Sequence, residues 1–274
     1  KLDDDGVRTK TILYFSKGEI EAIAKKISDL IKAKDLKKYF TEKDGVYTPE
    51  VKVSAILKGC HIKDLKDIAL YGRMVASDPD MDYEGAFAAN HAFSIHEVRP
   101  IIDYFSAVDE DQVGKGSGHI DEALYNSATF YRHIEIGLDL LKKNLPDLSD
   151  EQLRDCLEQT MRSVLRAVPS GKRNSTNGCT FPGRALATIR SNSTSLSLAD
   201  AFERPVSEGP YIETGWDRLT GHWKNLKNRV GSELGVILCE PVFSTDPEVT
   251  GVVAGTESLG IDDFCKEIRN YAWK

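Results

Sequence analysis

The chain has 274 residues, is 41% hydrophobic and 29% charged, and carries a formal net charge of -7. That is the composition of a folded soluble protein of one large or two smaller domains. No apolar run approaches the ~20 residues a membrane helix needs, and the global negative field argues against indiscriminate binding to polyanions. The five cysteines (60, 156, 179, 239 and 265) are scattered without a CxxC pair, which suits reduced thiols in a cytoplasm.

SKGEIEAIAKKISDLIKAKDLKKYF predicts a helix: Ser16 and Glu19 stand at capping-box spacing, and Ile20, Ile23, Ala24, Ile27, Leu30 and Ile31 repeat with helical period. Its lysine-rich opposite face reads as solvated surface. VKVSAILKG is a short apolar stretch that fits helix or strand, and KDLKDIALYGRM mixes the two periods before a turn at Gly72. The strand-rich centre predicts a long hairpin from about Val98 to Asn126 with an acidic, glycine-rich return, followed by a strand in SATFYRHIEIGL. LSDEQLRDCLEQTMRSVLRAV is the clearest helix, opened by a Ser149/Gln152 capping box and stopped by Pro169 and Gly171. Further on, GWDRLTGHWKNLKNRVG predicts a helix, GVILCEPVF a strand, and SLGIDDFCKEIRNYAWK a closing helix. Helices and strands intermix without βαβ regularity, which predicts an α+β fold.

Enzyme chemistry finds little footing. His91 and His96 are five apart, on a common face of neither a helix nor a strand, and no cysteine or carboxylate completes a ligand set. Asp78, Asp80 and Asp82 alternate as in a calcium loop, but its sixth position is Tyr83 rather than Gly and its twelfth is Ala89. GKGSG at 114–118 lacks the phosphate-loop spacing, and there is no GxSxG elbow. The expectation is no catalytic residue, no metal and no cofactor.

Charge is distributed unevenly. The window Gln159–Ala199 holds no Asp or Glu, where the chain average predicts about six, yet carries Arg162, Arg166, Lys172, Arg173, Arg184 and Arg190. Gly, Ser and Asn between these cations allow close approach to phosphate. Arg73 and Met74 in GRM, and Tyr104, Phe105 and Val108 in DYFSAVD, offer soft apolar and aromatic groups beside turns. Together these features suit a binder of single-stranded nucleic acid.

Five segments in order, DIALYGRM, DYFSAVDE, NSATFYRH, AVPSGKRN and SLADAFERPV, resemble the CasC family of the Cas-seven superfamily, from about Arg8 to the closing helix. Members form the backbone of the type I-E CRISPR surveillance complex, Cascade. The resemblance implies one domain over 1–274, a modified RRM-like (ferredoxin-like) palm with helical fingers at 8–66 and a β-hairpin thumb at 98–126. It implies a head-to-tail stack of copies along a CRISPR RNA in the cytoplasm, with other Cascade subunits, in which the thumb turns out a base at intervals. The remaining bases then pair with target DNA. On this likeness Met74 and Phe105 are apolar wedges around the displaced base, Tyr104 and Val108 belong to the same thumb, Arg73 counts among the RNA-binding residues, and Lys172 and Arg173 grip phosphates. Tyr104 stands where some relatives carry tryptophan. The family opens with a further strand and a basic segment, so a chain starting at Lys1 is expected to be N-terminally incomplete.

Two other functions remain open on the sequence. One is a protein-interaction scaffold of the same fold whose basic loop docks an acidic partner without touching nucleic acid. The other is an RNA-processing nuclease, for which His133 is the arguable general base.

Overall fold

The helix marked by Ser16 and Glu19 forms as α1 (Lys17–Lys32), and both bonds of its capping box are made: the Glu19 amide donates to Ser16 Oγ at 3.0 Å and the Ser16 amide to Glu19 Oε2 at 2.9 Å. In the computed structural model the described residues are 13–33, 35, 39–43, 46–49, 52–58, 60, 62, 64–107, 119–169, 171, 174 and 180–274. They divide into two compact units. The first comprises Lys1–Ala88, Ile134–Gln159 and Trp273, and the second Ala89–His133, Thr160–Ala272 and Lys274.

In the first unit, α1 is followed by the antiparallel pair β1 (Phe40–Lys43) and β2 (Val46–Pro49). VKVSAILKG resolves as a short helix, α2 (Val53–Leu57), and KDLKDIALYGRM as α3 (Lys66–Tyr71). β3 (Phe87–Ala89) pairs with β8 (Ile134–Ile136), which leads into α4 (Leu138–Asn144). Two apolar clusters hold these elements. Leu57, Val75 and Met81 pack with Phe15, Ala22, Ile23 and Val53, while Ala69, Leu70, Ala86, Leu141, Leu145, Leu153 and Cys156 form the other. Trp273 joins the latter and donates its indole N–H to the Leu138 carbonyl at 3.2 Å.

In the second unit, β4 (Phe93–Ser94) pairs with β7 (Phe130–Tyr131), β5 (Ile101–Ala107) with β6 (His119–Tyr125), β9 (Arg184–Leu186) with β12 (Val242–Ser244), and β10 (Ile189–Ser191) with β11 (Val236–Cys239), all antiparallel. Ile95, Phe202 and Val206 pack with Tyr131, Tyr211 and Leu219. The long helix α6 (Tyr211–Val230) and the closing α7 (Ile261–Tyr271) complete it. α5 (Asp150–Arg166), whose residues up to Gln159 belong to the first unit, carries its expected capping box, the Ser149 amide donating to Gln152 Oε1 at 2.9 Å and the Gln152 amide to Ser149 Oγ at 3.3 Å.

Two expected strands are each broken in two. GVILCEPVF splits at Glu240–Pro241, because proline has no N–H for a ladder and the Glu240 carboxylate is drawn to Lys227 Nζ at 2.8 and 3.1 Å and to the Trp223 indole. SATFYRHIEIGL splits at Arg132–His133. There Arg132 turns its guanidinium to the carbonyls of Val164 (2.6 Å) and Ala167 (2.9 Å), closing the C-terminal end of α5. The fold is mixed α and β with small two-stranded antiparallel ladders among the described residues.

Candidate nucleic-acid interface

Two exposed apolar features carry the sequence-predicted residues. The first is the turn after α3. Gly72 has φ +76, and a Cβ there would lie 2.9 Å from both the Gly85 nitrogen and the Tyr83 carbonyl oxygen; a Cβ on Gly85 would meet the Leu70 oxygen at 2.8 Å. Two glycines thus let two backbone segments touch. Arg73 and Tyr83 then exchange both backbone bonds, 3.0 Å from the Arg73 amide and 2.8 Å from the Tyr83 amide.

Arg73 is placed differently from the expectation that it faces RNA. Its side chain is 3% exposed and donates from Nη1 to Glu19 Oε2 (2.8 Å) and the Tyr14 carbonyl (3.1 Å), and from Nε to the Met81 carbonyl (3.0 Å). The Phe15 and Tyr83 rings lie 5.9 and 5.6 Å from the guanidinium carbon. Glu19 is 2% exposed and its Oε2 also accepts from the Ser16 amide, so the pair is a desolvated ion pair with further hydrogen bonds on both partners. Met74, the next residue, is 82% exposed. Beyond it Val75 is buried and its amide donates to Asp82 Oδ1. Buried Asp78 accepts from the Ser54 amide (2.9 Å) and hydroxyl (2.7 Å). Burial works to raise the Asp78 carboxyl, but the Ser54 bonds, with Lys52 and Arg73 nearby, outweigh it and hold the group below the ordinary carboxylate range.

The second feature is the hairpin β5–β6. Its register sets Ile102 opposite Leu124, Tyr104 opposite Glu122 and Phe105 opposite Asp121. Alternation puts Ile101, Asp103 and Phe105 on one face and Ile102 and Tyr104 on the other. Tyr104 is 65% and Phe105 48% exposed, and Ile101, Ile102 and Leu124 are exposed as well. Both faces therefore present apolar side chains to solvent. Ile101, Ile102 and Leu124 were not singled out from the sequence. Their signal was the run IIDYF, in which neither alternate face is wholly polar. Val108, Lys172 and Arg173 lie outside the described residues.

The acid-free window is less bare than its sequence implies. Arg162 bonds Asp262 Oδ1 at 2.5 Å, and that bond, reinforced by the charge of Arg162, holds the Asp262 carboxyl below its ordinary range. Arg184 lies 3.8 Å from Asp246 with its guanidinium 6.0 Å from the Trp216 ring centroid. Arg190 donates to the carbonyls of Leu234 (3.1 Å) and Thr194 (2.8 Å). Arg166 is exposed. Acids distant in sequence thus fold back onto two of the window's cations.

Of the histidines weighed for metal chemistry, His96 has its ring held by structural partners. His96 Nε2 accepts from the Thr129 amide at 3.0 Å, which assigns the ring proton to Nδ1, 2.8 Å from the Glu97 carbonyl; the ring stacks on Tyr211 at 4.0 Å. The carbonyl of His133 accepts from the Asn90 amide at 3.1 Å. Burial pushes the Cys239 thiol up to about 11, which disfavours the reactive thiolate. Among the described residues, no helix is long and apolar enough to cross a membrane.

The fold is shared with chains of solved CRISPR assemblies. A chain of a "CRISPR RNA-guided surveillance complex, pre-nicking" superposes with a TM-score of 0.76 at 23% identity, covering 97% of this chain and 71% of that one. A chain of a "CRISPR RNA-guided surveillance complex" gives 0.62 at 21% identity, covering 97% and 94%. At these identities the likeness establishes a common fold. Comparison with curated proteins gave no match. The CT1975-like protein family matches residues 1–261, and the chain belongs to that family.

Proposed function

We propose that the chain is a CRISPR RNA-binding backbone subunit of a Cascade-type surveillance complex, of the type I-E CasC kind. The observation that carries this reading is the presentation of Met74 on a fixed turn, and of Tyr104 and Phe105 on a two-faced hairpin, in a fold shared with chains of RNA-guided surveillance complexes. The palm is RRM-like, the fingers span 8–66 and the thumb 98–126. Copies stack head to tail, an open arrangement that requires a heterologous interface. Met74 of one copy and Phe105 on the thumb of its neighbour wedge against a base turned out of the RNA stack, Tyr104 and Val108 belong to the same thumb as Phe105, and Lys172 and Arg173 hold phosphates. Turning out a base costs a few kcal/mol, which aromatic contacts of about 1–3 kcal/mol each offset. The remaining bases stay free to pair with target DNA, so pairing reads sequence and the protein reads backbone. The role is not enzymatic, and the complex works in the cytoplasm with other Cascade subunits.

Fluorescence anisotropy with single-stranded RNA and duplex DNA at two salt concentrations tests this. The expected result is a preference for single-stranded RNA whose affinity falls steeply with salt and drops in the Lys172→Ala/Arg173→Ala variant. Equal affinity for duplex DNA, or RNA affinity untouched by that variant at low salt, overturns it. The alternative reading is a protein-interaction scaffold of the same fold whose basic loop docks an acidic partner without nucleic-acid contact. It predicts that Phe105→Ala changes self-association and leaves RNA binding unaltered.

A further inference from the structure

We infer that the buried Glu19–Arg73 ion pair is a positioning device that fixes the direction in which Met74 is presented to a displaced base. The inference rests on the functional reading above and concerns how its wedge is held.

An exposed methionine has three rotatable bonds and is a poor wedge unless its backbone is fixed. Here the backbone is fixed on every side. On the N-terminal side, the Gly72–Gly85 contact and the two Arg73–Tyr83 backbone bonds lock the strand-like turn. On the C-terminal side, Val75 is buried and its amide is held by Asp82. Beneath Met74, the Arg73 guanidinium ties three separated stretches together: the approach to α1 through Tyr14, the first turn of α1 through Glu19, and the 79–82 turn through Met81. Glu19 in turn is fixed by its capping bond to the Ser16 amide. The helix cap, the ion pair and the turn therefore form one chain of bonds ending at the residue before Met74. A planar guanidinium with donors in a fixed fork suits this role better than an ammonium. An apolar core residue at position 73 would fill the space without setting a direction, which is the specificity that a buried polar network supplies.

The test uses the complex assembled on its CRISPR RNA, with chemical probing of base reactivity at single-nucleotide resolution and peaks normalised to RNA retained. The wild-type protein is expected to give regularly spaced reactive bases. Met74→Ala is expected to flatten those peaks. The Glu19→Gln/Arg73→Met double variant removes both charges at similar volume and is expected to flatten them too, with Met74 still present. Asp82→Ala frees the Val75 amide at an exposed site without touching the ion pair, and so serves if the double variant does not fold; it is expected to lower the same peaks. If Met74→Ala flattens the pattern but the double variant (or, where that does not fold, Asp82→Ala) keeps it whole, the positioning role is overturned and the wedge reading survives. If Met74→Ala leaves the pattern whole, the wedge reading itself is overturned.

Discussion

The Met74 turn and the β5–β6 hairpin both present apolar groups to solvent, but they are built on opposite principles. The turn is over-determined by its own unit: two touching glycines, a buried ion pair, and amides held on both sides of one exposed side chain. The hairpin is a two-stranded ribbon whose side chains at Ile101 to Phe105 and at Leu124 are exposed, on both faces. A ribbon of that kind is marginal in water on its own and acquires its stability from whatever it packs against. On the functional reading proposed above, binding is shared between two kinds of element. The turn is preorganised before its ligand arrives, and the hairpin is completed by it.

Unbalancing the ion pair is the severest challenge to this contrast. Glu19→Ala leaves the Arg73 guanidinium buried without its counter-charge and is expected to cost about 3–5 kcal/mol, read as a fall in the urea midpoint at unchanged slope. The Glu19→Gln/Arg73→Met double variant should recover most of that loss. If the single and double variants lose the same stability, the pair is not a desolvated unit. Next in size is Gly72→Ala, which places a Cβ at positive φ against the Gly85 backbone. An expected cost of about 1–3 kcal/mol should appear in the same unfolding experiment. The matching change on the hairpin, Phe105→Ala, should move stability by no more than about 0.5 kcal/mol because the ring is half exposed in the free chain. In the RNA complex it should cost about 1–3 kcal/mol of binding, the worth of one stacked base. A hairpin variant that unfolds the free protein, or a turn variant that does not, reverses the contrast.

Much of the fold was legible because its signals are local. Both capping boxes formed as spaced, α5 and α7 lie within the segments predicted for them, and α6 begins a few residues before its predicted segment. The broken strands were not legible, since a β-like run does not reveal that its two halves pair with different partners; only Pro241 marked one of the breaks. At the candidate site, Met74 and Phe105 could be chosen from sequence as soft groups near turns. That Arg73 faces inward could not. Its partner Glu19 lies 54 residues earlier and advertised itself only as a capping residue. The same limit applied to the basic window, where Asp246 and Asp262 arrive from outside any local count. Charge read along a chain is a statement about sequence neighbours, and the fold decides which of those charges still faces solvent.

The smallest expected effect concerns acid. Asp78, beneath the Met74 turn, has its carboxyl held below the ordinary range in the folded state. A group with a depressed folded pKa contributes stability above its unfolded value, about 4, and loses that contribution as pH falls through the lower folded value. Acidification from about pH 5 into that range should therefore loosen the Ser54–Asp78 tie before any change is required in the hairpin ladder, whose backbone bonds do not titrate. Hydrogen exchange checks this directly: the amide of Ser54 should exchange relatively faster on acidification, after correction for the intrinsic rate, and Asp78→Asn should remove that pH dependence. A wild-type protein and an Asp78→Asn variant with the same pH profile would mean that the turn is held by its ion pair and glycines alone.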